Sequence, residues 1–170
     1  ICESTFGLPI FNWEATNEVV DSITKWVTQS EDSISILFCY SLGKAQRLLS
    51  ELDGQKFKNI YIHKSINNMN TIYRNLGIDL VETKIFDNNL EVNNLKNSLI
   101  LLPPSLNNKN FLKKFKRVQT SFASGWMSIR ALKKRSGFDK GFIISDHADW
   151  NGLIKTIKES KAKRVFLNHG

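Results

Sequence analysis

Apolar residues along this chain fall into short β-rich runs separated by stretches with helical spacing. Six runs read as strands: 34–40 (ISILFCY), 59–63 (NIYIH), 80–86 (LVETKIF), 98–102 (SLILL), 141–145 (GFIIS) and 164–168 (RVFLN). Between them, Val19, Val20, Ile23, Trp26 and Val27 keep an i, i+3, i+4, i+7 spacing that places them on one helical face. Ala45, Leu48, Leu49 and Leu52 do the same in a second helix, and Ile66, Met69, Ile72, Tyr73 and Leu76 in a third. Strands alternating with helices require crossover connections, so the pattern predicts an α/β fold with a parallel sheet. Pro103-Pro104 is the clearest interruption, because proline lacks the N–H donor and bars helix at the residue before it. The Asn-rich patches around Asn67, Asn88, Asn93 and Asn107 read as solvent-facing, and no internal repeat is visible.

At 170 residues, 41% hydrophobic and 24% charged, the chain is long enough to bury one substantial core, which excludes collagenous and wholly disordered classes. The net charge of +8 is unevenly placed. Residues 1–108 carry 9 basic and 12 acidic side chains, whereas residues 109–170 carry 15 basic and 4 acidic. A basic segment of this kind suits a polyphosphate partner, since each cation set near a phosphate releases condensed counterions, although a solvated basic face has the same composition. No apolar run approaches the roughly 18 residues that span a bilayer, and no signal-peptide pattern opens the chain. The expectation is a soluble, cytoplasmic protein with no membrane partner. Cys2 and Cys39, without any CxxC, argue against a disulfide framework or a cysteine zinc cage. The chain starts without Met and stops just after an apolar run, and is expected to be a fragment of something longer.

Four segments carry candidate chemistry. Ser41-Leu42-Gly43-Lys44-Ala45-Gln46 follows a strand and opens a helix, where free backbone N–H groups and the helix dipole can hold a phosphate. It is not a Walker A loop, because the earlier glycine is missing and Ala45 replaces the Mg-binding hydroxyl. An ordinary strand-to-helix turn with a surface lysine would read the same way. Ser145-Asp146-His147-Ala148-Asp149-Trp150 lies at the carboxyl end of a strand, where ligands gather in parallel sheets. There a His among carboxylates suits proton donation or metal binding, while an N-cap with an exposed His is the plainer reading. His169, in LNHG, ends the next strand, so one strand–helix–strand unit brings both imidazoles to one sheet edge. His63 lacks acidic neighbours and reads as structural. The opening Glu3-Ser4-Thr5-Phe6-Gly7-Leu8-Pro9, with Trp13 soon after, reads by itself as a turn.

Taken together, ESTFGLP, FCYSLGKAQRLL, SGWM at 124–127, SDHADW and LNHG resemble, in order and spacing, the β-CASP nucleases of the metallo-β-lactamase superfamily. The combination is most similar to the bacterial ligase-associated DNA exonucleases. The resemblance implies a β-CASP cap over residues 1–125 and a return of residues 126–170 to a metallo-β-lactamase αββα domain, whose N-terminal zinc-ligand segment is absent from this sequence. It implies that Glu3 is the acidic motif A, that His147 is the motif B histidine protonating the departing oxygen, and that His169 is a metal ligand. Two zinc ions are expected in the full-length protein, with Mn2+ as an alternative metal. One histidine cannot hold zinc alone, so the remaining ligands are expected upstream of Ile1. Ser41, Lys44, Trp126, Arg130, Lys133, Lys134 and Arg135 are the expected nucleic-acid contacts, Trp126 either stacking on a base or packing under its turn. Lys113, Lys114, Lys116 and Arg117 are placed in the same groove. The implied activity is DNA exonuclease action in repair, with an ATP-dependent DNA ligase as partner. RNA 3′-end processing by a β-CASP ribonuclease and an inactive nucleic-acid-binding cap are the rival readings.

Overall fold

A computed structural model of the chain describes residues 3–30, 33–87 and 95–168. Six strands, β1 (Ile34–Phe38), β2 (Ile60–Ile62), β3 (Lys84–Ile85), β4 (Leu99–Leu102), β5 (Val118–Ala123) and β6 (Lys140–Phe142), form one sheet in the order β3-β2-β4-β1-β5-β6. Every pairing is parallel. Six helices accompany them: α1 (Thr16–Thr28), α2 (Lys44–Leu49), α3 (Lys64–Asn75), α4 (Lys109–Leu112), α5 (Arg130–Arg135) and α6 (Trp150–Ser160). The expected parallel-sheet α/β class is therefore what the chain adopts.

Period-two alternation explains why both faces must be covered. Ile34, Ile36 and Phe38 of β1, with Ile100 and Leu102 of β4, join one apolar cluster, to which Tyr61, Phe86 and Phe111 also belong. Leu37 and Cys39, with Leu99 and Leu101, join the opposite cluster, where α1 lays down Val19, Val20, Ile23, Trp26 and Val27. That α1 face is wholly buried, as its spacing predicts. Truncating a fully buried core residue such as Phe38 to Ala costs about 3–5 kcal/mol in a close-packed interior.

Three expectations shift. Residues 118–123 (VQTSFA) do not read as a core strand, yet β5 lies inside the sheet between β1 and β6. Its polar side chains are satisfied locally: Gln119 donates to the Trp26 carbonyl (3.1 Å) and Ser35 Oγ (2.7 Å), and the Thr120 N–H and hydroxyl both donate to Asp139. The run 164–168 forms no strand. Val165, Phe166 and Leu167 are exposed, and the Asn168 carbonyl accepts from the Ser4 N–H and hydroxyl. On α3, Ile66 is buried as expected, but Ile72 and Leu76 are exposed, because the inward position is taken by Asn70, whose Oδ1 accepts from Gln46 Nε2 at 2.9 Å.

After β1 the chain moves outward to β2 and β3, returns to insert β4 beside β1, and then crosses to β5 and β6 on the other side. Strand order thus reverses at β1. A crevice opens outside the carboxyl ends of parallel strands at such a point.

Candidate functional site

The crevice is a cleft of about 660 Å3. β1 leads into it through Tyr40, Ser41, Leu42 and Lys44, and β4 through Pro103, Pro104 and Ser105. Ser124 and Trp126 follow β5, Asp146 and His147 follow β6, and Thr5 and Phe6 close one side. Segments far apart in sequence therefore meet because their strands point the same way.

Glu3 and His147 form an ion-pair contact, with Oε2 3.1 Å from Nδ1. Both remain partly accessible, so the pair faces solvent and cleft together. The backbone around His147 is held at several points. Its N–H donates to Ser145 Oγ at 3.1 Å, and its carbonyl accepts from the Trp13 indole N–H at 2.9 Å. Two residues on, Asp149 caps α6 by accepting from the Gly152 N–H (2.8 Å), and its second oxygen accepts from the Trp13 N–H (3.1 Å). With Nδ1 engaged by a carboxylate, Nε2 is the atom left for proton transfer.

Lys44 and Arg47 stand three apart on α2 and so share a face. The Lys44 ammonium, buried and 5.0 Å from the Tyr40 ring centroid, is paired with Asp146. Arg47 donates to the Ser145 carbonyl. Burial alone would raise the Asp146 carboxyl. Hydrogen bonding to Lys44 and its charge, reinforced by a backbone hydrogen bond and the nearby His147, outweigh burial and hold it below the ordinary value of 3.8. Lys44 thus lines the cleft with its ammonium committed to a neighbour. Ser41, also lining the cleft, hydrogen-bonds Ser65 Oγ at 2.7 Å, which in turn contacts His63 Nδ1 at 2.8 Å.

The SGWM turn is explained by an aromatic cluster. Phe6 packs against Phe11, Trp13 and Trp126 with ring centroids 4.8–5.0 Å apart, and against His147 at 5.9 Å. A Cβ on Gly125 would lie 2.7 Å from Phe6 Cζ and 2.8 Å from Trp13 Cη2, so only glycine lets this turn approach the rings. Trp126 is 41% exposed: one part packs on Phe6 and Phe11, and the rest lines the cleft.

Arg130, Lys133, Lys134 and Arg135 are all exposed on α5, which leaves the SGWM turn directly. Lys113, Lys114, Lys116 and Arg117 are also exposed but precede β5, with the Arg117 carbonyl accepting from Ile34 at the start of β1. They belong to the amino edge of the sheet. A six-residue strand separates them from the cleft by roughly 20 Å, and the cleft lining includes Trp126 but no residue of either basic cluster.

His169 and Cys2 lie outside the described residues. Among the described residues no group of three or more His, Cys, Asp or Glu side chains could hold a metal ion. Glu3 and His147 are engaged with each other and Asp146 with Lys44, so these side chains do not by themselves fit a zinc centre. The sequence assigns Asp146 only to the surroundings of His147 and gives Arg47 and Tyr40 no role; the i, i+3 spacing of Lys44 and Arg47 is the one signal that both cations serve the same neighbour.

The fold and the cleft define an all-parallel α/β unit with a His–carboxylate pair at a strand-order reversal. No family model matches the chain. It is similar to a protein named "Probable DNA ligase" from Opitutus terrae, 27% identical over 172 residues. That alignment takes in 100% of this chain but 16% of the length of the relative. No helix among the described residues is long and apolar enough to cross a membrane.

Proposed function

We propose that this chain is part of a metal-dependent phosphodiesterase acting on DNA, of the β-CASP class that its motifs resemble, and working as a ligase-associated exonuclease in repair. The observation that carries the reading is the Glu3–His147 pair, 3.1 Å apart at the mouth of a cleft. A phosphodiester needs a proton delivered to its departing oxygen, and an imidazole held through Nδ1 by a carboxylate offers Nε2 for that transfer. Glu3 sets the orientation of the ring through its contact with Nδ1. Trp126 offers a partly open aromatic face against which an unpaired base can stack, and the exposed cations of α5 add affinity for the backbone independent of sequence.

Zinc belongs to this proposal as an expectation of the motif resemblance, with His169 as the ligand this chain contributes. The described residues do not make that centre, and the remaining ligands would come from chain outside it. DNA is favoured over RNA by the name of the relative. The aligned segment is a small share of that protein, so the ligating chemistry in its name is not assigned to this segment. An inactive binding cap would have no need to set a carboxylate on the imidazole Nδ1.

The test is hydrolysis of matched single-stranded DNA and RNA by the intact protein, with and without EDTA, followed by readdition of Zn2+ or Mn2+. DNA cleavage that requires metal and is lost in His147→Ala is the expected result. Cleavage of RNA alone would move the reading to RNA processing, and equal nucleic-acid binding without cleavage by wild type and variant would make the chain a binding cap.

A further inference from the structure

The loop after β1 was a candidate phosphate cradle with Lys44 as its cation, but its geometry serves a different end. α2 directs two positive side chains at the turn 145–147: Lys44 pairs with Asp146, and Arg47 donates to the Ser145 carbonyl. Gly43, at φ +80, lies so close that a Cβ there would be 2.5 Å from Asp146 Oδ2. The Asp146 carboxylate is therefore seated between a bare backbone and a buried ammonium whose side chain is only 6% exposed. Lys44 also lies against the Tyr40 ring, and Gln46 fastens the same loop by accepting from the Gly43 N–H at 2.8 Å.

The next residue in the turn is His147. On its other side the backbone is tied to Trp13. We infer that Lys44 and Asp146 form a positioning pair for His147, anchoring the turn to α2 so that the imidazole meets Glu3, and that Lys44 is not a substrate-binding cation. Two features favour this over a phosphate contact. A phosphate would have to displace a carboxylate already hydrogen-bonded to the ammonium, and the loop has been left without a side chain at the one position that would crowd that carboxylate. The consequence is chemical: a proton donor displaced by about 1 Å can lose on the order of 100-fold in rate while substrate affinity is unchanged.

The inference rests on His147 having the role proposed above, and the experiment separates the two. Asp146→Asn, Lys44→Met and the double variant are made in the intact protein labelled with 15N-histidine, with His147→Gln assigning the resonance. Long-range 1H–15N spectra report the tautomer of the His147 ring directly, and kcat and KM are measured on single-stranded DNA. The expected result is a His147 ring whose Nδ1 signal, set by the hydrogen bond to Glu3 in the wild type, shifts toward that of an unengaged nitrogen in each variant. With it, kcat falls about 10- to 100-fold at constant KM, and the double variant is no worse than either single one. Asp146→Asn is isosteric and at a partly exposed site, so it decides the matter even where Lys44→Met does not fold. An unchanged His147 spectrum in a folded variant, or a raised KM with kcat intact, overturns the inference. A changed His147 Nδ1 signal in a protein that cleaves no nucleic acid leaves the positioning pair standing and removes the nuclease reading.

Discussion

Glu3 and His147, from opposite ends of the chain, meet with Oε2 3.1 Å from Nδ1. What brings them together is the backbone beneath them. The Ser4 N–H and hydroxyl hold the Asn168 carbonyl, Trp13 holds the His147 carbonyl, and Phe6 packs on the imidazole. If the pair delivers a proton to the departing oxygen, His147→Ala lowers single-turnover DNA hydrolysis by about 10²–10⁴-fold, with Glu3→Gln falling between that value and wild type. Rapid-quench measurement at saturating metal checks both, and a Glu3→Gln rate equal to wild type would remove the carboxylate from the mechanism.

Gly125 allows the SGWM turn to touch the aromatic cluster. Gly125→Ala forces a Cβ against Phe6 and Trp13, and overpacking of this kind costs about 1–3 kcal/mol. Urea unfolding followed by tryptophan fluorescence measures the loss, since Trp13 and Trp126 both contact the cluster. A variant as stable as wild type would show that the turn can move away at no cost.

The basic segment divides into one cluster before β5 and one on α5 after it, which makes its contribution separable. Replacing Lys133, Lys134 and Arg135 on α5 by Gln reduces the log–log salt slope of single-stranded DNA binding by about 2 to 3, if all three reach phosphates. The same change at Lys113, Lys114 and Lys116 leaves the slope near wild type. Equal effects from the two triple variants would mean that a substrate wraps around the sheet.

Cys39 is fully buried, and burial pushes its thiol up from 9.0 to about 12, against a smaller opposing pull from Lys44. In a Cys2→Ser background the native protein is therefore inert to thiol reagents at neutral pH and becomes reactive only on unfolding. The linkage has a definite sign. The folded state retains the Cys39 proton where the unfolded chain has lost it, so this contribution is intact below pH 9.0 and is lost as pH rises from there toward 12. Stability measured from pH 8 to 11 falls more steeply for this protein than for its Cys39→Ala variant.

Asp146 has the opposite sign. Its carboxyl lies below 3.8 in the folded state, so its contribution is present above that pH and is lost as pH falls through the lower folded value. Acid unfolding of Asp146→Asn is accordingly less pH-dependent below pH 4 than that of the parent protein. Identical acid limbs would mean that the pair with Lys44 adds nothing to the fold.

Hydrophobic periodicity was sufficient for the sheet and its helices wherever burial is the only requirement. β1 and β4 are buried at every position, and α1 buries the whole face that its spacing predicts. It was insufficient for β5, whose Gln119, Thr120 and Ser121 are tolerated between two strands because Trp26, Ser35, Asp139 and Ile36 accept their hydrogen bonds. Those partners are distant in sequence, and no window along the chain contains them. It misread 164–168 for the converse reason: a run of apolar residues makes a strand only where a neighbouring strand accepts its backbone.

The candidate chemistry divides along the same line. Residue type and position at strand ends were enough to single out Ser41, Lys44 and His147, since parallel strands must deliver such positions to one edge, whereas Glu3 and Trp126 entered through the motif resemblance. What each does was decided only by tertiary contacts. Lys44 reads from sequence as a phosphate ligand or a surface lysine but is buried and paired with Asp146, and the SGWM turn is held where Gly125 meets Phe6 and Trp13. The fold class follows from local alternation because burial is a property of single residues, whereas these roles are properties of pairs, and pairs exist only once the chain has closed on itself.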